Sequence, residues 1–90
     1  MKTELDAHIG RVVVLDTDSN WVYIGRLKAI ANNSICLADA DVHHRHDSRT
    51  TTERYIMDTR STGVHANRRT VYVNLRAIVS FSPLDEVIKY

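Results

Sequence analysis

The run WVYIGRLKAIA (Trp21–Ala31) has a glycine in its middle, and that placement limits the possible folds more than any other feature. Alternating Trp, Val, Tyr and Ile read as a β-strand. Eleven residues of strand extend roughly 36 Å at ~3.3 Å per residue. A domain of 90 residues has a radius of gyration of only about 12 Å, so a strand this long has to curve. Glycine inside a strand costs stability and marks a sharp bend or a close backbone approach. Bent at Gly25, the strand can serve both halves of a small closed barrel. Strand alternation puts Val22, Ile24, Arg26 and Lys28 on one face, and Trp21, Tyr23, Gly25, Leu27 and Ala29 on the other.

The flanking segments fit such a barrel. TELD (Thr3–Asp6) has a capping box, a hydroxyl followed three residues on by a carboxylate, and predicts one or two helical turns before Gly10. IGRVVVLD is a first strand and TDSN its turn. Asn32-Asn33 tolerates the left-handed backbone of a tight hairpin, after which SICLADADV returns as a third strand. RTVYVNL alternates cleanly as a fourth strand, with Val71 and Val73 on one side and Tyr72 and Asn74 on the other. AIVSFS is a fifth, closed by Pro83, and PLDEVI has room for one helical turn. Between strands three and four, residues 43–68 break the pattern. There Thr50 and Glu53 offer a second capping box and Gly63 a stop, which predicts either a short helix over roughly 51–62 or an irregular excursion holding a short strand at RYIM. Tyr55, Ile56 and Met57 are too apolar to stay in water, so this insertion should dock on the barrel or at a subunit contact. The expected architecture is one mostly β domain, residues 1–90: a five-stranded, bent antiparallel SH3-like barrel with a short N-terminal helix and a long insertion between strands 3 and 4.

Composition narrows the function. No apolar run reaches the ~18–20 residues of a membrane span, so no membrane partner is expected. A lone cysteine, Cys36, excludes an intrachain disulfide framework and fits a reducing, cytoplasmic setting. The formal charge of +1 hides an asymmetry, because residues 1–41 carry four basic and six acidic side chains while 42–90 carry eight and five. Between His43 and Arg76 there are seven arginines, three acids and four histidines. Arginine's planar fork suits phosphate and stacked bases.

The order of elements resembles the Sm-like (LSm) family, on the residues VVVLDTDSNWVYIGRLKAI, which are similar to its first motif, and VYVNLRAIVSFSP, which falls where its second motif falls. RAIVSFSP is similar to the last strand of bacterial Hfq-type proteins, and HIGRVVVLD with the long fourth loop resembles the LSm modules of mRNA-decapping scaffold proteins. The resemblance covers about 60 residues and implies a role in RNA metabolism as a platform that binds single-stranded RNA. It also implies a homo-oligomeric ring in which the fourth strand of one subunit pairs with the fifth of the next, removing both sheet edges from solvent. Val71, Val73, Ile78, Val79 and Phe81 are the expected interface residues.

The uridine-binding aspartate, aromatic and asparagine of the family correspond to Ala31, Asn33 and Ile35. Its Arg-Gly pair corresponds to Asn74 and Leu75, and the Hfq-type Lys-His pair to Leu75 and Arg76. Without the aromatic, a stacking contribution of roughly 1–3 kcal/mol per base is gone. Asn33, Asn74 and Arg76, with Arg68 and Arg69 on the basic excursion, remain as the candidate RNA-binding residues. Modules of the decapping type instead bind short peptides of other proteins, and this is the alternative partner.

HHRHD (His43–Asp47) is the sharpest chemical cluster. In an extended chain His44 and His46 project from one face and can share Zn²⁺ or Ni²⁺, with Asp47 or His65 as a third ligand. No known zinc spacing is matched, and a solvated strand end is the favoured reading, so no cofactor is expected. Asp39 and Asp41 read as the solvent face of a strand opposite Arg26 or Lys28. There is no glycine-rich phosphate loop, nucleophile elbow or triad arrangement, and Cys36 sits between apolar neighbours. The sequence points away from catalysis.

Overall fold

β-Branched and aromatic alternation produces five antiparallel strands in the computed structural model, which describes residues 2–46 and 51–88. They are β1 (Val12–Thr17), β2 (Trp21–Ile30), β3 (Ser34–His44), β4 (Arg68–Asn74) and β5 (Ile78–Pro83). Helix α1 (Lys2–Asp6) precedes them, and α2 (Thr52–Thr62) lies between β3 and β4. Short 3₁₀ turns follow at Leu75–Ala77 and Leu84–Glu86. The strands form one sheet in the order β4-β3-β2-β1-β5. Val73 of β4 and Ile78 of β5, from opposite ends of that order, share one core with Leu5, Leu15, Leu27 and Leu37. Strands so far apart in order can meet only if the sheet curls over. Among the described residues, the order has no hydrogen-bonded pairing between β4 and β5. β4 and β5 are the two edges of the sheet, joined through the 3₁₀ turn.

Gly25 acts through close approach. A Cβ built there would meet the Ala40 Cβ at 2.8 Å and the Ala40 Cα at 3.0 Å. The β2–β3 register explains the proximity: Ile24 pairs with Asp41 but Arg26 pairs with Ala38, so two β3 residues, Asp39 and Ala40, oppose Gly25 alone. Asp39 takes up the extra length with φ +50°, a conformation that aspartate tolerates better than most residues, and its carboxylate reaches Arg26 at 3.4 Å. A second irregularity lies between Leu27 and Ala29, where β2 has the extra residue. It moves Ala29 off the Leu27 face, where alternation had put it, into pairing with Cys36. Two offset bulges add twist and curvature to the long strand pair. β5 is less regular than its sequence suggests, with a register shift opposite Asp16 and Thr17 that throws Val79 outward, and Pro83 is inside the strand.

The sheet buries apolar side chains on both faces. Val14, Val22 and Ile24 point away from the inner core and would lie in water on a bare barrel. Ile56 of α2 and Leu84 cover them, and all five residues form a second core. The insertion therefore docks on the outer face of β1 and β2, as Tyr55, Ile56 and Met57 implied. Thr51 caps α2 by accepting from the Arg54 N–H at 3.1 Å, one residue after the expected cap, while Thr50 lies outside the described residues. The helix ends at Gly63, whose φ of 91° suits glycine and whose N–H reaches the Thr59 carbonyl at 2.8 Å. α1 begins at Lys2, one residue before the expected start at Thr3. Asn32-Asn33 makes the hairpin turn without a left-handed residue, with Ala31 N–H donating to the Ser34 carbonyl at 2.8 Å. Among the described residues no helix is long and apolar enough to cross a membrane.

A polar latch fixes α2 in place. The Tyr55 hydroxyl donates to Asp41 Oδ2 at 2.6 Å, and Asn67 Nδ2 donates to Asp41 Oδ1 at 3.2 Å. The Tyr55 ring stacks on His43 at 3.8 Å with 13° between planes. Burial, then the hydrogen bond and charge of Asp41, push the Tyr55 phenol well above its ordinary value of 10.0. A raised folded-state pKa contributes stability that is fully present below the unfolded value and fades as pH rises. We therefore expect the protein to lose stability progressively above pH ~10. Tyr55→Phe should flatten that loss while costing about 1–2 kcal/mol at neutral pH, where it leaves Asp41 short of a donor. Urea denaturation at pH 7 and pH 10.5 measures both effects.

Candidate nucleic-acid interface

Two turns at one end of the barrel are tied together. The Leu75 N–H, just past β4, donates to the Asn33 carbonyl of the β2–β3 hairpin at 2.9 Å. Asn74 ends β4 and caps the 3₁₀ turn, its Oδ1 accepting from the Arg76 N–H at 2.9 Å. These bonds bring Asn33, Asn74 and Arg76 to an open cleft of about 290 Å³. Three of the five expected RNA-binding residues are thus convergent. Arg68 and Arg69 are not with them. They lie at the other end of β4, where Arg68 pairs with Ala40, whereas Asn74 pairs with Ser34. Six residues of strand separate Arg68 from Asn74, roughly 20 Å.

The cleft is rich in donors. The cap consumes Asn74 Oδ1, so its NH₂ remains to face a ligand. The Arg76 guanidinium has no hydrogen bond or ion pair among the described residues, and its five N–H groups are free for a planar acceptor. Among the described residues, neither a carboxylate nor an aromatic ring lines the cleft. Such a surface suits phosphate or carbonyl oxygens.

Most of the basic segment is committed elsewhere, which the charge count alone could not reveal. Arg45 clamps the β1–β2 turn, with Nη2 donating to the Thr17 carbonyl at 3.2 Å and facing Asp16 Oδ1 at 3.5 Å. Arg54 pairs with Asp58, Arg60 donates to the Asp85 carbonyl, and Arg68 donates to the Asn67 carbonyl. Arg69 and Arg76 have no such side-chain partner among the described residues, and Arg49 lies outside them. A larger cleft of about 480 Å³, lined by Arg11, Val12, Arg60, Leu84 and Asp85, lies where α2 meets β1. Its arginines are engaged by Asp85, Arg11 at 3.0 and 3.1 Å to the two carboxylate oxygens and Arg60 at 3.0 Å to the carbonyl.

The clustered histidines stay close, the His44 and His46 rings meeting edge-on with centroids 5.8 Å apart. β3 ends at His44, and Arg45 and His46 turn away, so His44 and His46 no longer share a strand face. His44 Nδ1 accepts from the His46 backbone N–H at 3.2 Å, and its ring meets Trp21 edge-on at 4.9 Å. His65 lies 3.5 Å from Thr62 Oγ1, and Asp47 is outside the described residues. Among the described residues, no group of three or more His, Cys, Asp or Glu is arranged to hold a metal. Cys36 is buried and unpaired. Of the expected interface residues, Val73 and Ile78 belong to the inner core and Val71 and Phe81 pack against it, while Val79 is exposed. What β4 and β5 offer a neighbour is their backbone edges together with the exposed side chains of Tyr72 and Val79. Reasoning from the sequence missed Tyr72, which is 72% exposed on β4. The signal was present, since alternation puts Tyr72 on the Asn74 side of the strand.

The sequence matches no protein-family model, and no curated protein matches it. The fold has a clear structural relative. An Sm protein of Pyrococcus abyssii, solved in complex with a uridine heptamer, aligns with a TM-score of 0.63 at 13% identity, covering 91% of this chain and 94% of that one. At that identity the likeness concerns the backbone, and the conclusion is about architecture: this chain folds as an Sm-like barrel, five bent antiparallel strands with a helical insertion on the outer face.

Proposed function

We propose that this protein is a non-enzymatic Sm-like oligomer that binds single-stranded RNA at the cleft of Asn33, Asn74 and Arg76. The observation that carries the reading is the convergence of those three side chains at the junction of the β2–β3 and β4–β5 turns. The fold is that of an Sm protein whose structure contains a uridine heptamer. Homo-oligomerisation is supported by the sheet order, which leaves β4 and β5 as edges with unpaired N–H and C=O groups. Pairing β4 of one copy with β5 of the next would satisfy them and, repeated, close a ring.

Fluorescence anisotropy with uridine- and adenosine-rich oligomers at 50 and 200 mM salt is the direct test of RNA binding. Arg76→Ala should weaken binding about tenfold and lower the salt slope by about one, as expected for one lost phosphate contact. Absence of salt-sensitive binding at micromolar protein would end the RNA reading. Light scattering over a range of concentrations tests the oligomer, and a monomer throughout would end the ring reading. The alternative, a module of the decapping-scaffold type that binds peptides, has the cleft beside Arg11 and Arg60 as its site. That reading requires a monomer with no RNA affinity.

A further inference from the structure

Tyr72 is the most exposed aromatic residue among those described, at 72%. A tyrosine ring left in water on a regular strand forgoes a large burial gain, so what lies beside it bears on function. Alternation along β4 puts Tyr72 on the same side as Asn74, about 6.6 Å away at ~3.3 Å per residue. Cross-strand pairing puts Cys36 beside Tyr72 and Ser34 beside Asn74. Ala29, Ala31, Ser34, Cys36 and Tyr72 line a shallow, mostly apolar depression of about 110 Å³. It adjoins the donor-rich cleft, because Ser34 follows Asn33 in the hairpin and pairs with Asn74. The Tyr72 hydroxyl has no hydrogen-bond partner among the described residues. Donors for an anion and an apolar aromatic shelf therefore sit side by side on one face.

We infer that the two depressions form a single nucleotide subsite, in which Asn74 and Arg76 hold a phosphate of single-stranded RNA and the Tyr72 ring stacks on the attached base. The inference rests on the RNA reading above and makes it more specific. The hairpin position where the resemblance places an aromatic holds Asn33, and the ring is supplied from the adjacent strand instead. The physical consequence is a change in selectivity. Every base has a π-face, so stacking on an open ring tolerates any base. The cleft presents donors mainly to phosphate, so nothing in it favours uracil. The subsite should therefore take adenosine at least as well as uridine, because the purine offers the larger face.

The test uses the full chain with labelled oligomers of equal length: uridine, adenosine, and an abasic ribose-phosphate chain. Tyr72→Ala should weaken binding of both base-bearing oligomers by about tenfold or more while leaving the abasic chain unchanged. Tyr72→Phe should keep the wild-type affinity, since the ring is retained. Arg76→Ala should weaken all three, the abasic chain included. If Tyr72→Ala leaves the base-bearing oligomers unaffected while Arg76→Ala still weakens them, the stacking inference fails and the RNA reading stands. If the wild type binds none of the three, both fail. If Tyr72→Ala lowers the oligomer mass in light scattering with no base-dependent loss, the ring is a contact between copies and the inference is overturned. A preference for uridine of more than about tenfold would also overturn it.

Discussion

Gly25→Ala is expected to destabilise the protein by about 2 kcal/mol, the usual range for forcing a methyl into a filled site, although alanine is ordinarily the more stable residue in a strand. The new Cβ would come within 2.8 Å of the Ala40 Cβ and 3.0 Å of its Cα. Neither atom is the end of a flexible side chain that can turn aside. Ala40 is itself fully buried in the inner core, so relief requires β3 to move away from β2 at the bulge. For a domain of this size, 2 kcal/mol lowers Tm by roughly 8–16 °C. Gly25→Val, with two more methyl groups in the same gap, should leave little folded protein, because total stability of such a domain is of order 5–15 kcal/mol. Thermal unfolding followed by circular dichroism reads both variants. A double-mutant cycle identifies the cause. Ala40→Gly removes the nearest contact, so it should partly rescue Gly25→Ala with a coupling of at least about 0.5 kcal/mol. Additive effects would mean that the two residues do not clash and that Gly25 acts through backbone flexibility alone.

Ile56→Ala should cost about 2–4 kcal/mol, the range for truncating a large aliphatic side chain in a packed core, although it lies in a segment that looks like a loop insertion by sequence. Ile56 is 7% exposed and caps a cluster with Val14, Val22, Ile24 and Leu84. Three of those partners belong to the sheet, so undocking α2 would return their side chains to water as an apolar patch. Ile56→Asp goes further, since a carboxylate in that cluster has no partner to offset its desolvation. The helix should then leave the sheet while the inner core survives. Limited proteolysis would show new cleavage within 52–62, and a hydrophobic dye would bind the uncovered face. If Ile56→Ala moved Tm by less than about 2 °C, α2 would be an appendage that the barrel does not need.

The two substitutions separate what was readable in advance from what was not. Gly25 stands out because glycine in a long strand is a local anomaly with few physical explanations. Its sequence context left bend and close approach both open, and the contact with Ala40 depends on a bulge at Asp39 that no local pattern announces. The helix over residues 52–62 was one of two readings the sequence left open, and its threonine cap and glycine stop gave its ends to within a residue. Which sheet face it covers was not. Val14, Val22 and Ile24 read as one more apolar stripe of a two-sided strand pair, and periodicity cannot say what lies above a stripe. The site divides along the same line. Asn33, Asn74 and Arg76 were found through the resemblance, and the hydrogen bond from Leu75 to Asn33 brings them together. The arginines of the insertion counted equally as charge, but ion pairs and carbonyl contacts formed on folding remove most of them from service. Tyr72 was visible as an alternation position and became a candidate only once its neighbours across the strands were known.

The sequence by itself determined the five strands, the hairpin and the need for the long second strand to curve, because these follow from local propensity and from periodicity within one segment. The tertiary structure decided the two-sided core, the partners of Asp41 and Arg45, the open edges and the meeting of the cleft with the Tyr72 shelf. Each of those depends on pairing between residues distant in the chain. Register and burial set that pairing, and a single bulge is enough to change which side chains face one another.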